Sequence, residues 1–137
     1  MYLLDTNVVS ELRRARPHGA VVSWIERVAS EDLFLSAVTI GEIQAGIELT
    51  RDQDAAKAEA IEAWLELVAA SYAVLPADAA VFRAWARLKH RKSKTLFEDA
   101  MIAATAIVHG LTVVTRNVRD FDALGVPSFD PFRPQKG

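Results

Sequence analysis

Cysteine is missing from this 137-residue chain, and histidine occurs only three times, at His18, His90 and His109. The first absence excludes a disulfide scaffold, a thiolate zinc site and a cysteine nucleophile together. The scatter of the histidines excludes a histidine metal cluster. No repeat, linker or low-complexity segment breaks the chain, so residues 1–137 read as a single domain. Long apolar runs are missing too. The longest stretch without Asp, Glu, Lys or Arg is 16 residues, Ala100 to Thr115, and it contains His109 and Gly110. A spanning helix needs roughly 20 apolar residues, so no membrane association is expected. The start, Met-Tyr-Leu-Leu-Asp, has no basic n-region of a secretory signal, which makes the cytoplasm the expected location. An excess of positive charge is also lacking. The formal net charge is -2 and the pI is near 5.9. Taken alone, that balance speaks against a nucleic-acid partner.

What is present is a folded composition, 51% hydrophobic and 25% charged, too apolar for disorder. Short β-like runs alternate with helical periods. Strands are expected at 2–4, 33–37, 72–75, 112–115 and 126–129. Helices are expected after Asp5-Thr6-Asn7, through Val21, Trp24, Ile25 and Val28, from Thr39 through Ile47, through Ile61, Trp64, Leu65 and Val68, after Asp78, and over 98–109 with Gly110 as the stop. Strands separated by helices need crossover connections, and hence a parallel sheet covered on both faces. Ligands of such sheets gather outside the carboxyl ends of the strands. Asp5 follows the first strand directly, and Arg116-Asn117 follows the Thr112 strand.

Four acidic segments compete between structural and chemical roles. Asp5 is either a helix cap or a carboxylate at the sheet edge; Thr6 and Asn7 could do the capping in its place. Glu42, three residues after Thr39, matches a capping box, and equally supplies a second carboxylate after a strand. Asp99 opens a run whose next nine residues carry no charge, so its helix should be buried. There the acid could complement the helix dipole, as could Glu98. Asn117 could cap a turn, and Asp120 could pair with Arg116 or Arg119. Together, acids without histidine or cysteine suit a hard cation such as Mg2+, which takes oxygen ligands and substrate phosphates. Such a site can activate water for phosphodiester displacement.

Leu-Leu-Asp-Thr-Asn, Ser-Ala-Val-Thr-Ile-Gly-Glu-Ile, Asp-Ala-Met-Ile-Ala-Ala-Thr-Ala and Val-Val-Thr-Arg-Asn-Val-Arg-Asp-Phe stand in that order. In order, spacing and total length they resemble the PIN-domain ribonucleases, and more narrowly the VapC toxins of bacterial type II toxin–antitoxin modules. The resemblance implies a three-layer α/β/α fold around a mainly parallel five-stranded sheet. It implies an endoribonuclease dependent on Mg2+ or Mn2+, with Asp5, Glu42 and Asp99 as catalytic metal ligands and Thr6, Asn7 and Thr115 in support. A fourth acid falls on Asn117 by position, with Asp120 three residues on. The segment Lys-Thr-Leu-Phe-Glu before Asp99 departs from the family in lacking glycine and proline. A small inhibitory antitoxin and a toxin homodimer are also implied.

Net charge hides an asymmetry. Residues 31–66 hold nine acids against Arg51 and Lys57, whereas residues 83–94 hold six lysines and arginines and no acid. Arg13, Arg14 and Arg16 form a second basic group. Such runs are commonly solvated faces. Beside a carboxylate site they become candidates for RNA backbone contact, with Arg13, Arg14, Arg87, Arg91 and Arg116 the residues singled out. Trp24, Trp64 and Trp85 sit at helical core periods, which favours packing over base stacking. Three other activities compete: a PIN nuclease that processes RNA without a toxin role, an Asp5-nucleophile phosphatase, and a non-catalytic binding module. Haloacid-dehalogenase-like phosphatases carry a second Asp two residues after the first, where this chain has Asn7. Asp5-Thr6-Asn7 contains no glycine either, so nothing resembles a dinucleotide-binding turn.

Overall fold

The computed structural model describes residues 1–134. Five strands, β1 (Tyr2–Leu4), β2 (Leu33–Ser36), β3 (Ala73–Leu75), β4 (Thr112–Val114) and β5 (Ser128–Phe129), form one sheet in the order β3-β2-β1-β4-β5. Every pairing is parallel. Seven helices connect and flank them: α1 (Thr6–Glu11), α2 (Gly19–Arg27), α3 (Ala37–Arg51), α4 (Ala55–Ser71), α5 (Ala79–Arg91), α6 (Phe97–His109) and α7 (Val118–Ala123). The expected three-layer α/β/α architecture is present, with a sheet that is wholly rather than mainly parallel.

Alternation along the strands sorts the core into two halves. Leu3 and Val113 face α5, α6 and α7, where Leu88, Met101, Ile102 and Phe121 are buried. Leu4, Leu35 and Val114 face the opposite side, against Val8, Val9, Val21 and Trp24. Each such side chain contributes roughly 1.5–3 kcal/mol relative to leaving it in water. A smaller cluster of Ile47, Ala58 and Leu65 joins α3 to α4. Beyond Asp99, α6 is buried from Ala100 through Ala106 as its composition required, while Ile107 and Val108 at its end are exposed. Gly110 ends it at φ 65°, the left-handed conformation that favours glycine. Trp24 packs in the core against Tyr2 and Phe129, and Trp64 is partly buried beside Ile47. Trp85 lies between Phe82 and Phe97.

Two local expectations change. The helix expected from Thr39 begins at Ala37, because β2 runs into α3 without a loop and its last residue becomes the cap. Ser36 Oγ accepts from the Val38 amide at 3.1 Å, and Thr39 is fully buried inside the first turn. The Thr39–Glu42 pair is therefore not a capping box. Likewise Asp5 is itself the N-cap of α1 rather than being relieved of that task by Thr6 or Asn7.

Candidate active site

β1 lies at the centre of the sheet, with β2 on one side and β4 on the other, so the strand order reverses at its carboxyl end. That is where an open parallel sheet leaves a crevice. Asp5 stands there because its amide continues the ladder, donating to the Val114 carbonyl at 2.9 Å. Its side chain is 4% exposed. Oδ1 accepts from the Thr6 amide at 2.8 Å. Oδ2 accepts from Thr115 Oγ1 at 2.8 Å and from Asn7 Nδ2 at 3.2 Å. The Thr115 hydroxyl oxygen in turn accepts from the Asn117 amide at 2.9 Å, and Asn7 Oδ1 accepts from the Arg116 amide at 3.3 Å. One carboxylate is thus tied to the loop after β4 and to the first turn of α1.

Glu42 comes from the second turn of α3. Thr6 Oγ1 donates to its Oε1 at 2.8 Å and lies 3.1 Å from the Thr39 hydroxyl. Glu98 and Asp99 come from the first turn of α6, both half-buried. Burial raises the Asp5 carboxyl above its ordinary range, with Thr115 and Thr6 opposing the shift. Burial also raises Glu42; Thr6 opposes, and the charges of Asp5, Glu98 and Asp99 add to the rise. Asp99 is raised by burial first, then by Asp5, Asp120 and Glu98. The acids thus lie close enough for their charges to act on one another. Among the described residues none of Asp5, Glu42, Glu98, Asp99 and Asp120 is ion-paired to a lysine or arginine.

Residues 2–126 match the PIN domain family. The chain belongs to that family. Its PIN domain is similar to a VapC ribonuclease of Sinorhizobium fredii, 38% identical over 98% of this chain and 99% of the relative. It is similar also to the toxin FitB of Neisseria gonorrhoeae, 35% identical over 96% and 99%. The crystal structure of FitAcB from the same organism superposes with a TM-score of 0.85 at 35% identity, covering 96% of this chain and 99% of that one.

In this PIN domain Asp120, on α7, faces the same pocket as Asp99 and raises its pKa. It pairs with neither Arg116 nor Arg119 among the described residues. Asn117 precedes α7 without a side-chain capping bond, and it is exposed. Glu98, read from sequence only as a dipole partner, shares the site's field; nothing in a first-turn acid pair distinguishes which member does so. The donor set is all oxygen and negatively charged, and ranges from the buried Asp5 through the half-buried Glu42 and Asp99 to the exposed Asp120, which suits a hard divalent cation. No three such side chains enclose a single point among the described residues. The set therefore fits an ion held by one or two carboxylates and water, as Mg2+ commonly is.

The basic candidates separate in space. Arg13 lines a groove with Thr6 and Glu42. Arg91 lies in the pocket of Asp99 and, with Arg87, in a second depression. Arg14 pairs with the buried Glu11 at 3.4 Å instead of approaching the acids. The Arg116 guanidinium sits 3.7 Å above the Phe132 ring, which also meets His18 edge-on. No helix among the described residues is long and apolar enough to cross a membrane.

Proposed function

We propose that this PIN domain is a divalent-metal-dependent endoribonuclease that acts as the toxin of a toxin–antitoxin pair. The observation that carries the proposal is the gathering of Asp5, Glu42 and Asp99 at one sheet edge, each raised by burial and none ion-paired among the described residues. One or two of Asp5, Glu42 and Asp99 would hold Mg2+ or Mn2+ together with water, with Asp120 completing the acidic set more directly than Asn117. The ion would supply activation of water and stabilisation of charge on the scissile phosphate. Thr115, Asn7 and the Thr6 amide fix the direction of Asp5, and the Thr6 hydroxyl fixes Glu42. Arg13 lines a groove with Glu42 and Arg91 a pocket with Asp99, so each basic residue stands beside one of the acids where a phosphate backbone would be met. A small inhibitory antitoxin completes the reading, supported by the likeness to toxin FitB, and a homodimer is proposed with it.

An Asp5-nucleophile phosphatase is disfavoured because Asn7 stands where such phosphatases carry a second Asp, and because the chain belongs to the PIN domain family. The Asp5 oxygens that accept hydrogen bonds keep further lone pairs for a metal contact.

Purified protein should cleave RNA with Mg2+ or Mn2+ and stop when EDTA is added. Expression alone should arrest growth, whereas the D99N protein should be tolerated. Robust cleavage in EDTA would remove the metal from the mechanism, and harmless expression of an active enzyme would leave an RNA-processing role instead.

A further inference from the structure

The six basic residues of 83–94 are not equivalent. Lys89 is committed to the chain itself: its Nζ donates to the Ser93 carbonyl at 2.9 Å and to the Thr95 carbonyl at 2.6 Å. These bonds pin the loop between α5 and α6. That loop forms one wall of an open pocket of about 540 Å³, where Lys92, Lys94 and Leu96 face Leu124, Asp120 and Asp99. The volume lies within the roughly 300–1,000 Å³ typical of sites for small ligands.

The lining has two chemistries. Lys92 and Lys94 are exposed and have no ion-pair partner among the described residues. Leu96 is 66% exposed, a large apolar side chain left in water directly before α6. Two ammonium groups beside an apolar surface match the two parts of a nucleotide, its phosphate and its base. Lysines read a phosphate as point charges without regard to sequence. A base laid on Leu96 would remove apolar surface from water. Asp99 belongs to both the pocket and the acidic site, so an occupant lies next to the place of cleavage. Because Lys89 holds the loop in advance, little ordering is left for binding.

We propose that this pocket takes the single nucleotide flanking the scissile phosphate, its base against Leu96 and its phosphate at Lys92 and Lys94. The α5–α6 loop then sets nucleotide preference next to the cut. The proposal rests on the ribonuclease function above, and its test separates the two. The cut in an end-labelled oligoribonucleotide is mapped with the wild-type enzyme, and each neighbouring base is then replaced by an abasic residue in turn. One flanking position should lose about tenfold in kcat/KM, comparable to losing one base contact. L96A should show a similar loss on intact RNA and little further loss on the abasic strand. K92Q/K94Q should raise KM with kcat unchanged, and should lower the salt slope of log KM by about 0.7, the value for one single-strand phosphate contact. All three side chains are exposed, so thermal melts should match the wild type. An abasic penalty undiminished in L96A overturns the pocket while leaving the nuclease intact. Unchanged RNA kinetics in both variants also overturn it and leave the pocket to a protein partner. Failure of the wild type to cut any RNA overturns the nuclease and the pocket together.

Discussion

Asp5 and Asp99 are two acids of one site held in opposite ways. Asp5 is buried and satisfied, with donors on both oxygens and a helix to cap. Asp99 is half-buried and accepts no hydrogen bond among the described residues, yet it carries the repulsion of Asp5, Asp120 and Glu98. The difference separates architecture from demand. Removing Asp5 takes away a support of the fold, while removing Asp99 relieves a strain that only a cation would offset.

The largest effect that can break this contrast is in paired alanine variants. D5A and D99A should both lower RNA cleavage by roughly 10²–10³-fold, the scale for one electrostatic contact at a reacting centre. Only D5A should also destabilise the fold, by about 2 kcal/mol in urea, from a lost cap and orphaned Thr115 and Asn7 donors. Equal destabilisation by both would erase the distinction. Next in size, Mn2+ at a hundredfold excess over its dissociation constant should stabilise the wild type by about 2.7 kcal/mol. D99N should show a much smaller rise in melting temperature and weaker heat in calorimetric titration.

Without metal the order of stability reverses. A carboxyl raised by folding binds its proton more tightly in the native state than in the unfolded chain. Its contribution is complete below the unfolded value and is lost as pH rises through the folded one. D99N and E42Q should therefore gain on the metal-free wild type as pH climbs above roughly 4, the ordinary carboxylate range. A gap that widens on acidification would contradict the assigned direction. A smaller effect is expected of T115A, about 1 kcal/mol with slower cleavage, because Asp5 loses one of its donors. N117A should lie within about 0.5 kcal/mol of wild type, since its side chain caps nothing.

The sheet and the place of Asp5 at its edge were legible because each is announced locally: an apolar run, a capping residue, then a helical period. Gly110 was legible for the same reason, as a glycine at a helix end. Asp99 showed only as the acid before an uncharged helical run. Thr39 was misread because Thr-x-x-Glu looks alike whether a loop precedes the helix or β2 feeds straight into it. Only the fold turns the Thr39 hydroxyl toward Thr6. Lys89 could not be told from its basic neighbours, since its role is set by where the chain reverses after Lys92. The Arg116–Phe132 stack joins the loop after β4 to the segment beyond β5, a contact without local signature.

The central place of β1 also governs when the site can exist during synthesis. The strand that ends at Asp5 is translated first, yet its two neighbours in the sheet are β2 and the much later β4. Asp5 meets Thr115 across a separation of 110 residues. A ribosome-bound chain shorter than that has the first acid but neither the strand nor the hydroxyl that orients it. The arrangement of the candidate site is thus withheld until almost the whole domain has emerged, so partial products carry its sequence without its geometry.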